Sequence, residues 1–191
     1  MSKMLATQQQ RLLLGIALGV SLLINGLQAR YIYVLTRSAE QPSAPKKGLS
    51  LTSLEVTDQT GSGTIVSFRG SSKPTLLYVF RPGCVWCQRN AQAANAFFRA
   101  VSNRYRVIGL SLDSDGLEEF VAGHGISFPI YTGLAAAALR TYHLGSTPET
   151  LLISTAGTIE GDWSGAYTSD TKRSMENYFG VSVQDAAQGT D

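Results

Sequence analysis

Residues 75–87 read TLLYVFRPGCVWC and place two cysteines directly after a strand-like run. The first six residues, up to Phe80, are a continuous apolar and β-branched run, which is typical of a central strand covered on both faces. A Pro-Gly pair at residues 82–83 ends this run, and a helix is predicted to start at Cys84. The stretch therefore predicts a buried strand, a loop and a helix in direct succession.

Both cysteines are predicted to lie on the inward face of that helix. Apolar or small residues recur at steps of three and four along it: Cys84, Cys87, Ala91, Ala94, Phe98 and Val101. Helix neighbours at i and i+3 have Cβ atoms about 5–6 Å apart, so modest fitting at the helix end brings the two sulfurs within bonding range. A reversible disulfide can form between Cys84 and Cys87.

The two cysteines are not equivalent. Cys84 is at the helix N-terminus, where free N–H groups and the helix dipole stabilise a thiolate, whereas Cys87 lies one turn further in. Cys84 is therefore predicted to be the nucleophile that forms a mixed disulfide, and Cys87 the residue that resolves it. A permanent disulfide and a pair of buried thiols stay open as structural alternatives. A Cys₄ zinc site within one chain is excluded, because the sequence has two cysteines.

The rest of the chain after residue 48 alternates strand and helix patterns. An N-terminal hairpin is predicted on the two sides of Gly61-Ser62-Gly63. Further strands are predicted at residues 106–112, 150–153 and 158–160. Helices are predicted at about residues 84–102, 117–124, 134–142 and 170–179. This order indicates an α/β domain with a mainly parallel sheet and an antiparallel edge.

An apolar segment precedes the domain. Eighteen uncharged residues lie between Arg11 and Arg30, enough to cross most of a bilayer core as a helix, and apolar character resumes at residues 31–35. A transmembrane anchor is predicted here. A cleaved secretory signal is the alternative, although Leu27-Gln28-Ala29 puts a large residue where a small one is preferred. A buried core helix is disfavoured because polar residues are nearly absent from every face of the segment.

Charge is distributed unevenly along the 191 residues. Residues 1–47 carry six Lys/Arg and one Glu, net +5, whereas residues 48–191 carry ten Lys/Arg and thirteen Asp/Glu, net −3. The domain thus lacks the cationic excess that binds nucleic acid phosphates, and no nucleic-acid partner is expected. The predicted organisation is an N-terminal tail 1–11, a transmembrane anchor 12–35, an exposed linker 36–47, a folded domain 48–180 and a flexible tail 181–191.

The cysteine motif and its surroundings resemble a known family. Cys84-Val85-Trp86-Cys87 follows a buried strand, and Ser146-Thr147-Pro148-Glu149-Thr150 comes later in the chain. With the hairpin that ends at residues 68–74, these motifs resemble the thioredoxin fold of the membrane-anchored TlpA/ResA-type thiol–disulfide oxidoreductases. The interval between the motifs is similar to the extra strand–helix insertion of that family, here about residues 117–133. The resemblance covers about residues 48–180.

The resemblance implies a central mixed sheet flanked by helices, with the hairpin ahead of the first core strand. It implies that Pro148 is a cis-proline facing the cysteines and that the Thr147 backbone pairs with an extended substrate segment. From the residues alone, a trans-proline at a strand start is also compatible. The expected substrate-binding residues are Trp86, Thr147, Pro148 and Glu149, the last as a surface charge that tunes partner choice. The redox group is the Cys84–Cys87 disulfide, with no other cofactor and no metal.

Four positions depart from the family pattern. Tyr78 stands where thioredoxins have an Asp six residues before the first cysteine, and Asn90 where ResA-type proteins have a Glu. Gly83 replaces the tryptophan that usually precedes the first cysteine, and Trp86 stands where proline is common. Neither expected carboxylate is therefore present to take a proton from the resolving Cys87.

The resulting hypothesis is a membrane-tethered enzyme that exchanges its Cys84–Cys87 pair with cysteine pairs of extracytoplasmic client proteins such as apocytochromes, in cytochrome c maturation. Its expected partners are these clients, a membrane or soluble thiol donor or acceptor of electrons, and the lipid bilayer through residues 12–35. The domain is expected outside the cytoplasm, on the periplasmic side in a bacterium. Positive charges flank the apolar segment almost evenly, and a cytoplasmic N-terminus is favoured. The direction of electron transfer stays open.

Two other functions have partial support in the sequence. A Sco-like copper-binding protein would use Cys84, Cys87 and His143 as ligands, but that family has three residues between its cysteines rather than two. A peroxiredoxin-type peroxidase would need a Thr three residues before its reactive cysteine, and Arg81 occupies that position. The copper-binding protein is the alternative from a different functional class.

Overall fold

The strand, loop and helix predicted from residues 75–87 are all present in the computed structural model, which describes residues 13–30 and 46–182. Seven strands are found within the described residues: β1 (Ser53–Thr57), β2 (Gly63–Ser67), β3 (Thr75–Phe80), β4 (Arg106–Ser111), β5 (Ile130–Tyr131), β6 (Glu149–Ile153) and β7 (Ile159–Ser164). The helices are α1 (Leu13–Arg30), α2 (Val85–Val101), α3 (Leu117–His124), α4 (Ala136–Thr141) and α5 (Ser169–Phe179).

The central sheet has the strand order β5-β4-β3-β6-β7. β3 runs parallel to β4 and β4 parallel to β5, whereas β6 runs antiparallel to both β3 and β7. Four of the five strands therefore run in the same direction and β6 runs against them, so the predicted mainly parallel sheet with an antiparallel edge is confirmed. The direction of β6 could not be read from its own residues, because a strand buried on both faces is an apolar run in either orientation. The mixed sheet that the family resemblance implied is confirmed.

The β3 side chains alternate between two apolar layers. Leu76, Tyr78 and Phe80 face a cluster that includes residues of α2, α3 and α5. Leu77 and Val79 face a second cluster, which the hairpin β1–β2 and residues around α4 complete. All six β3 residues are buried, as expected for a strand between two layers. The carboxyl end of β3 therefore leads the chain into the two cysteines from the middle of the core.

Most predicted elements are confirmed with small shifts of their ends. The hairpin pairs β1 with β2 in antiparallel register, with Leu54 opposite Val66. The predicted helix at 134–142 is shorter, Ala136–Thr141. The two-residue strand β5 lies within the strand–helix insertion that the resemblance implied, but its own residues do not predict it, because a strand this short has no measurable alternation and follows a proline, Pro129.

The apolar segment forms α1, whose described side chains are exposed, and it belongs to a compact unit of its own. Its length and composition suffice to cross a membrane, and a signal sequence would satisfy the same criteria. Several predicted segments fall wholly or largely outside the described residues: the tail 1–11, the ends of the anchor 12–35, residues 36–45 of the linker and residues 183–191 of the C-terminal tail.

One described residue of the predicted linker does not fit the expectation of exposure. Lys46 is fully buried, because its ammonium group donates a hydrogen bond to the carboxylate of Glu149. Composition could not reveal this contact, since the two residues are 103 positions apart in the chain.

Candidate active site

Cys84 occupies the N-cap position of α2. Its backbone is extended, with φ −79° and ψ 118°, and its Sγ accepts a hydrogen bond from the Cys87 N–H at 3.2 Å. The sulfur thus takes the place of the hydroxyl or carboxylate oxygen that usually satisfies a free N–H group in the first turn of a helix. The helix consequently begins at Val85, one residue later than predicted.

The surroundings of the two sulfurs differ in exposure. Cys84 is half-buried, whereas Cys87 has 0% exposure and packs in the cluster under α2. Both side chains are free thiols. The Cys84 sulfur is thus accessible to the disulfide of a partner. The Cys87 sulfur is not accessible from solvent, so it can react with Cys84 or after a local movement of the chain.

The same surroundings separate the pKa values of the two thiols. Burial acts to raise the pKa of Cys84, but hydrogen bonds from Cys87, together with contacts to Thr147 and Trp86, outweigh it, so this pKa lies below its ordinary value. Burial raises the pKa of Cys87 to about 12, and the neighbouring Cys84 sulfur adds to the effect. Cys84 is therefore the better nucleophile near neutral pH.

A turn containing Pro148 lies against Cys84. The Thr147–Pro148 peptide bond is cis, as the resemblance implied. The Cys84 thiol donates to the Thr147 carbonyl with a sulfur–oxygen distance of 3.6 Å, and the Pro148 carbonyl accepts from the Gly165 N–H at 2.8 Å. The first contact places the backbone of Thr147, 63 residues further along the chain, beside the reactive sulfur, and the second ties the turn to the end of β7.

The peptide between the two cysteines faces outward. Val85 is 59% exposed and Trp86 is 55% exposed. The Arg89 guanidinium carbon lies 5.3 Å from the centre of the Trp86 ring, a cation–π distance. An accessible aromatic ring therefore stands beside Cys84, where an incoming partner would meet it.

Polar groups behind Cys87 form an uncharged network that no local sequence pattern predicts. Asn90 donates from Nδ2 to the Tyr78 hydroxyl at 3.3 Å and accepts from the Tyr167 N–H at 2.6 Å. The Tyr167 and Thr150 hydroxyls are 2.7 Å apart. Thr150 is the register partner of Tyr78 on the neighbouring strand, so correct pairing of β3 with β6 would have indicated that they share a face.

Glu149 is not the surface charge that the sequence predicted. It has 0% exposure, because it starts β6 between Val79 of β3 and Ser164 of β7, and Lys46 covers it. Burial raises the pKa of Glu149 to about 7, against the opposing effect of the Lys46 ammonium group. The Glu149 side chain is therefore closed to direct contact with a client.

Solved structures with the same architecture are known. A thioredoxin domain of a thiol-disulfide oxidoreductase from Bacteroides vulgatus has a TM-score of 0.58 and 17% identity, covering 71% of this chain and 99% of its own. StoA from Bacillus subtilis has a TM-score of 0.52 and 18% identity, covering 70% and 98%. A thio-disulfide isomerase from Thermus thermophilus has a TM-score of 0.54 and 13% identity, covering 72% and 99%.

The domain has the thioredoxin-like fold. No protein-family model and no curated protein matches the chain by sequence. Several structural neighbours are named thiol-disulfide oxidoreductases or thiol:disulfide interchange proteins, the class that the cysteine motif and the Thr-Pro motif resembled. At these identities the likeness establishes the fold alone.

Within this thioredoxin-like domain, burial raises the pKa of the Tyr78 hydroxyl, so the group stays neutral. Tyr78 and Asn90 are the two positions where the family pattern has carboxylates, and both carry uncharged side chains that bond to each other. The polar groups behind Cys87 can therefore donate and accept hydrogen bonds, but they supply no carboxylate base.

The copper alternative finds no matching arrangement. Throughout residues 13–30 and 46–182, no three His, Cys, Asp or Glu side chains are grouped so that they could hold a metal ion. His143, the third predicted ligand, lies just after α4 with a φ of 53° and is not gathered with Cys84 and Cys87 into such a group.

Proposed function

We propose that this protein is a thiol–disulfide oxidoreductase that exchanges the Cys84–Cys87 pair with cysteine pairs of client proteins. The observation that carries the proposal is the setting of Cys84, whose sulfur caps α2 and meets the Thr147 carbonyl of the cis-proline turn. An acidic, half-exposed thiol beside a buried, weakly acidic one is the arrangement that such exchange requires.

In the reducing direction, the Cys84 thiolate attacks one sulfur of a client disulfide, and the other client sulfur leaves as a thiolate. The Cys87 thiol then loses its proton and attacks the Cys84 sulfur, which releases the first client sulfur as a thiolate. The client disulfide has gained two electrons, and a Cys84–Cys87 disulfide has formed. The reverse sequence oxidises a client dithiol and leaves both cysteines reduced.

The chain's own residues have separate tasks in this reaction. The N–H group of Cys87 stabilises the thiolate of Cys84 both before attack and when it is the leaving group. The backbone at Thr147 is placed to pair with an extended client segment, and Trp86 offers an exposed surface to it. Since the network behind Cys87 has no carboxylate, water or hydroxide takes the Cys87 proton.

The proposed setting is the extracytoplasmic side of a membrane, with α1 and its flanks, residues 12–35, as the anchor. The apolar composition of α1 and the charge contrast between residues 1–47 and the domain support tethering. Clients such as apocytochromes, and a membrane or soluble thiol partner that renews the redox state, follow from the family resemblance.

Single-turnover exchange tests the proposal on the full chain in detergent micelles. Reduced protein is mixed with an equal amount of a fluorescent peptide that contains one disulfide, and acid-quenched samples are separated by chromatography. Cys84→Ser is expected to abolish peptide reduction. Cys87→Ser is expected to accumulate a mixed disulfide between Cys84 and the peptide, because the resolving thiol is missing.

Each variant is the control for the other, since they differ only in which sulfur remains. Unchanged peptide reduction by Cys84→Ser would refute the assignment of the nucleophile. Absence of any trapped species in Cys87→Ser, with reduction otherwise intact, would refute the resolving role.

A further inference from the structure

A charged cluster is buried behind the cis-proline turn. The Lys46 ammonium group donates to Glu149 Oε1, and both side chains have 0% exposure. Asp162 Oδ2 lies 3.8 Å from Lys46 Nζ, and the Ser164 hydroxyl donates to Glu149 Oε1 at 3.2 Å. The second carboxylate oxygen of Glu149, Oε2, is buried without a hydrogen-bond partner. The cluster thus gathers three charges and one hydroxyl around the first residue of β6.

A single residue, Pro148, separates Glu149 of this cluster from Thr147, whose carbonyl contacts Cys84. The peptide bond before Pro148 is cis, and the carbonyl of Thr147 accepts from the Cys84 thiol. By strand alternation, Glu149 points to the face opposite Thr150, away from the network behind Cys87. The turn that touches Cys84 is therefore held from the far face of the sheet.

The position of the pair argues for a task other than stability. A buried ion pair adds little to stability compared with well-packed apolar side chains of similar volume, whereas loss of one partner leaves an uncompensated charge. A buried pair of charges does, however, restrict the direction of each side chain, because a side chain that turned away would leave its partner buried as an uncompensated charge. Lys46 and Glu149 can thus set the exact course of the backbone where β6 begins.

We propose that Glu149 is a positioning residue, which Lys46 holds so that the turn at Thr147–Pro148 presents its backbone to an incoming client. The segment between α1 and β1 then contributes, through Lys46, to client binding. This inference rests on the proposed function and adds to it a determinant for extended peptide substrates.

Two disulfide probes separate positioning from general damage. One is a peptide disulfide long enough to pair with the Thr147 backbone, and the other is hydroxyethyl disulfide, which is too small to do so. Single-turnover rate constants for both are measured with the reduced full chain in detergent micelles. Lys46→Met is expected to lower the peptide rate about tenfold, because misplacement of a binding group by a fraction of an ångström weakens orientation. The small-probe rate is expected to change less than about twofold.

Lys47→Met is the matched control, since Lys47 is the exposed neighbour and makes no part of the cluster. Its rates with both probes are expected to equal those of the unchanged protein. A second variant, Lys46→Met with Glu149→Leu, removes both buried charges together, so that it keeps the fold even where the single substitution does not. It is expected to show the same lowered ratio of peptide rate to small-probe rate.

The ratio of the peptide rate to the small-probe rate tests the positioning role of Glu149. A ratio equal to that of the unchanged protein in the double variant would overturn the positioning role, and so would an equal fall of both rates. If the unchanged protein reacts with neither probe, the proposed function itself fails. If it reacts with both and the ratio alone is insensitive to these variants, the proposed function stands and this inference is lost.

Discussion

Two consecutive residues of β6 send their side chains to opposite faces of the sheet and meet polar groups of different character. Thr150 joins Tyr78, Asn90 and Tyr167 in an uncharged network on the face that carries Cys87. Glu149 joins a charged cluster on the other face. Thr150 and Glu149 are both fully buried, but of the two groups only the cluster contains an ion pair. The thiol pKa values are therefore set by burial and hydrogen bonds, without a carboxylate behind the sulfurs.

The charged face is expected to give the largest effect on stability. Lys46→Met leaves the Glu149 carboxylate buried without its cation, so the free energy of unfolding should fall by about 3–5 kcal/mol. Denaturation by urea, followed by near-ultraviolet circular dichroism, measures the change. Lys47→Met, at an exposed position, should stay within about 0.5 kcal/mol of the original protein. Equal losses in the two variants would remove the contrast between the faces.

The uncharged face is expected to govern the pH dependence of the resolving step, in which Cys87 attacks the mixed disulfide at Cys84. The pKa of Cys87 is raised to about 12. At any pH well below this value, each increase of one pH unit therefore raises the fraction of Cys87 present as thiolate tenfold. Release of thionitrobenzoate from a mixed disulfide with Cys84 should therefore accelerate about 100-fold between about pH 7 and about pH 9. Stopped-flow absorbance measures this rate. A rate that is level across this range would mean that an internal base takes the proton.

Asn90→Glu sharpens that experiment by restoring a carboxyl at the position where ResA-type proteins have one. The resolving rate near neutral pH should increase by at least about tenfold, and the pH profile should flatten, since a positioned base assists proton transfer. The variant with Gln at the same position keeps the length without the charge and should retain the steep profile.

The smallest expected effect concerns one hydrogen bond of the uncharged network. Thr150→Val removes the hydroxyl that bonds to Tyr167 and should lower the free energy of unfolding by about 0.5–1.5 kcal/mol. The pH profile of resolution should stay unchanged, because no charge is altered. Thr168→Val is the control, since Thr168 is exposed and its side chain makes no capping bond. If Thr150→Val lowered the free energy of unfolding as much as Lys46→Met does, the expected difference between the two faces would be contradicted.

The parts of the fold that depend on neighbouring residues in the chain can be predicted from the sequence. The run from Thr75 to Phe80 and the spacing of the cysteines are sufficient for the strand, the loop and the helix, because apolar periodicity depends on neighbours in the chain. The helix of residues 117–124 has the predicted bounds. The cis bond before Pro148 followed from resemblance rather than from its neighbours.

The remainder depends on contacts between distant parts of the chain. Lys46 sits among prolines and polar residues, a composition typical of an exposed linker, and only the pairing of β6 with β3 and β7 creates the buried site that it enters. The network that joins Tyr78 and Thr150 likewise requires the register of two strands, β3 and β6, that are distant in sequence. Such long-range register is not encoded in the local pattern of either strand.

The sulfur that caps α2 links secondary structure to oxidation state. As a thiolate, Cys84 is a charged acceptor for the first-turn N–H group of Cys87; once bonded to another sulfur it is a neutral and poorer one. Oxidation of Cys84 therefore also weakens the first turn of α2, the longest helix of the domain. Hydrogen exchange at the Cys87 amide should therefore report the redox state directly. A docking protein could distinguish the oxidised form from the reduced form by the order of that first turn.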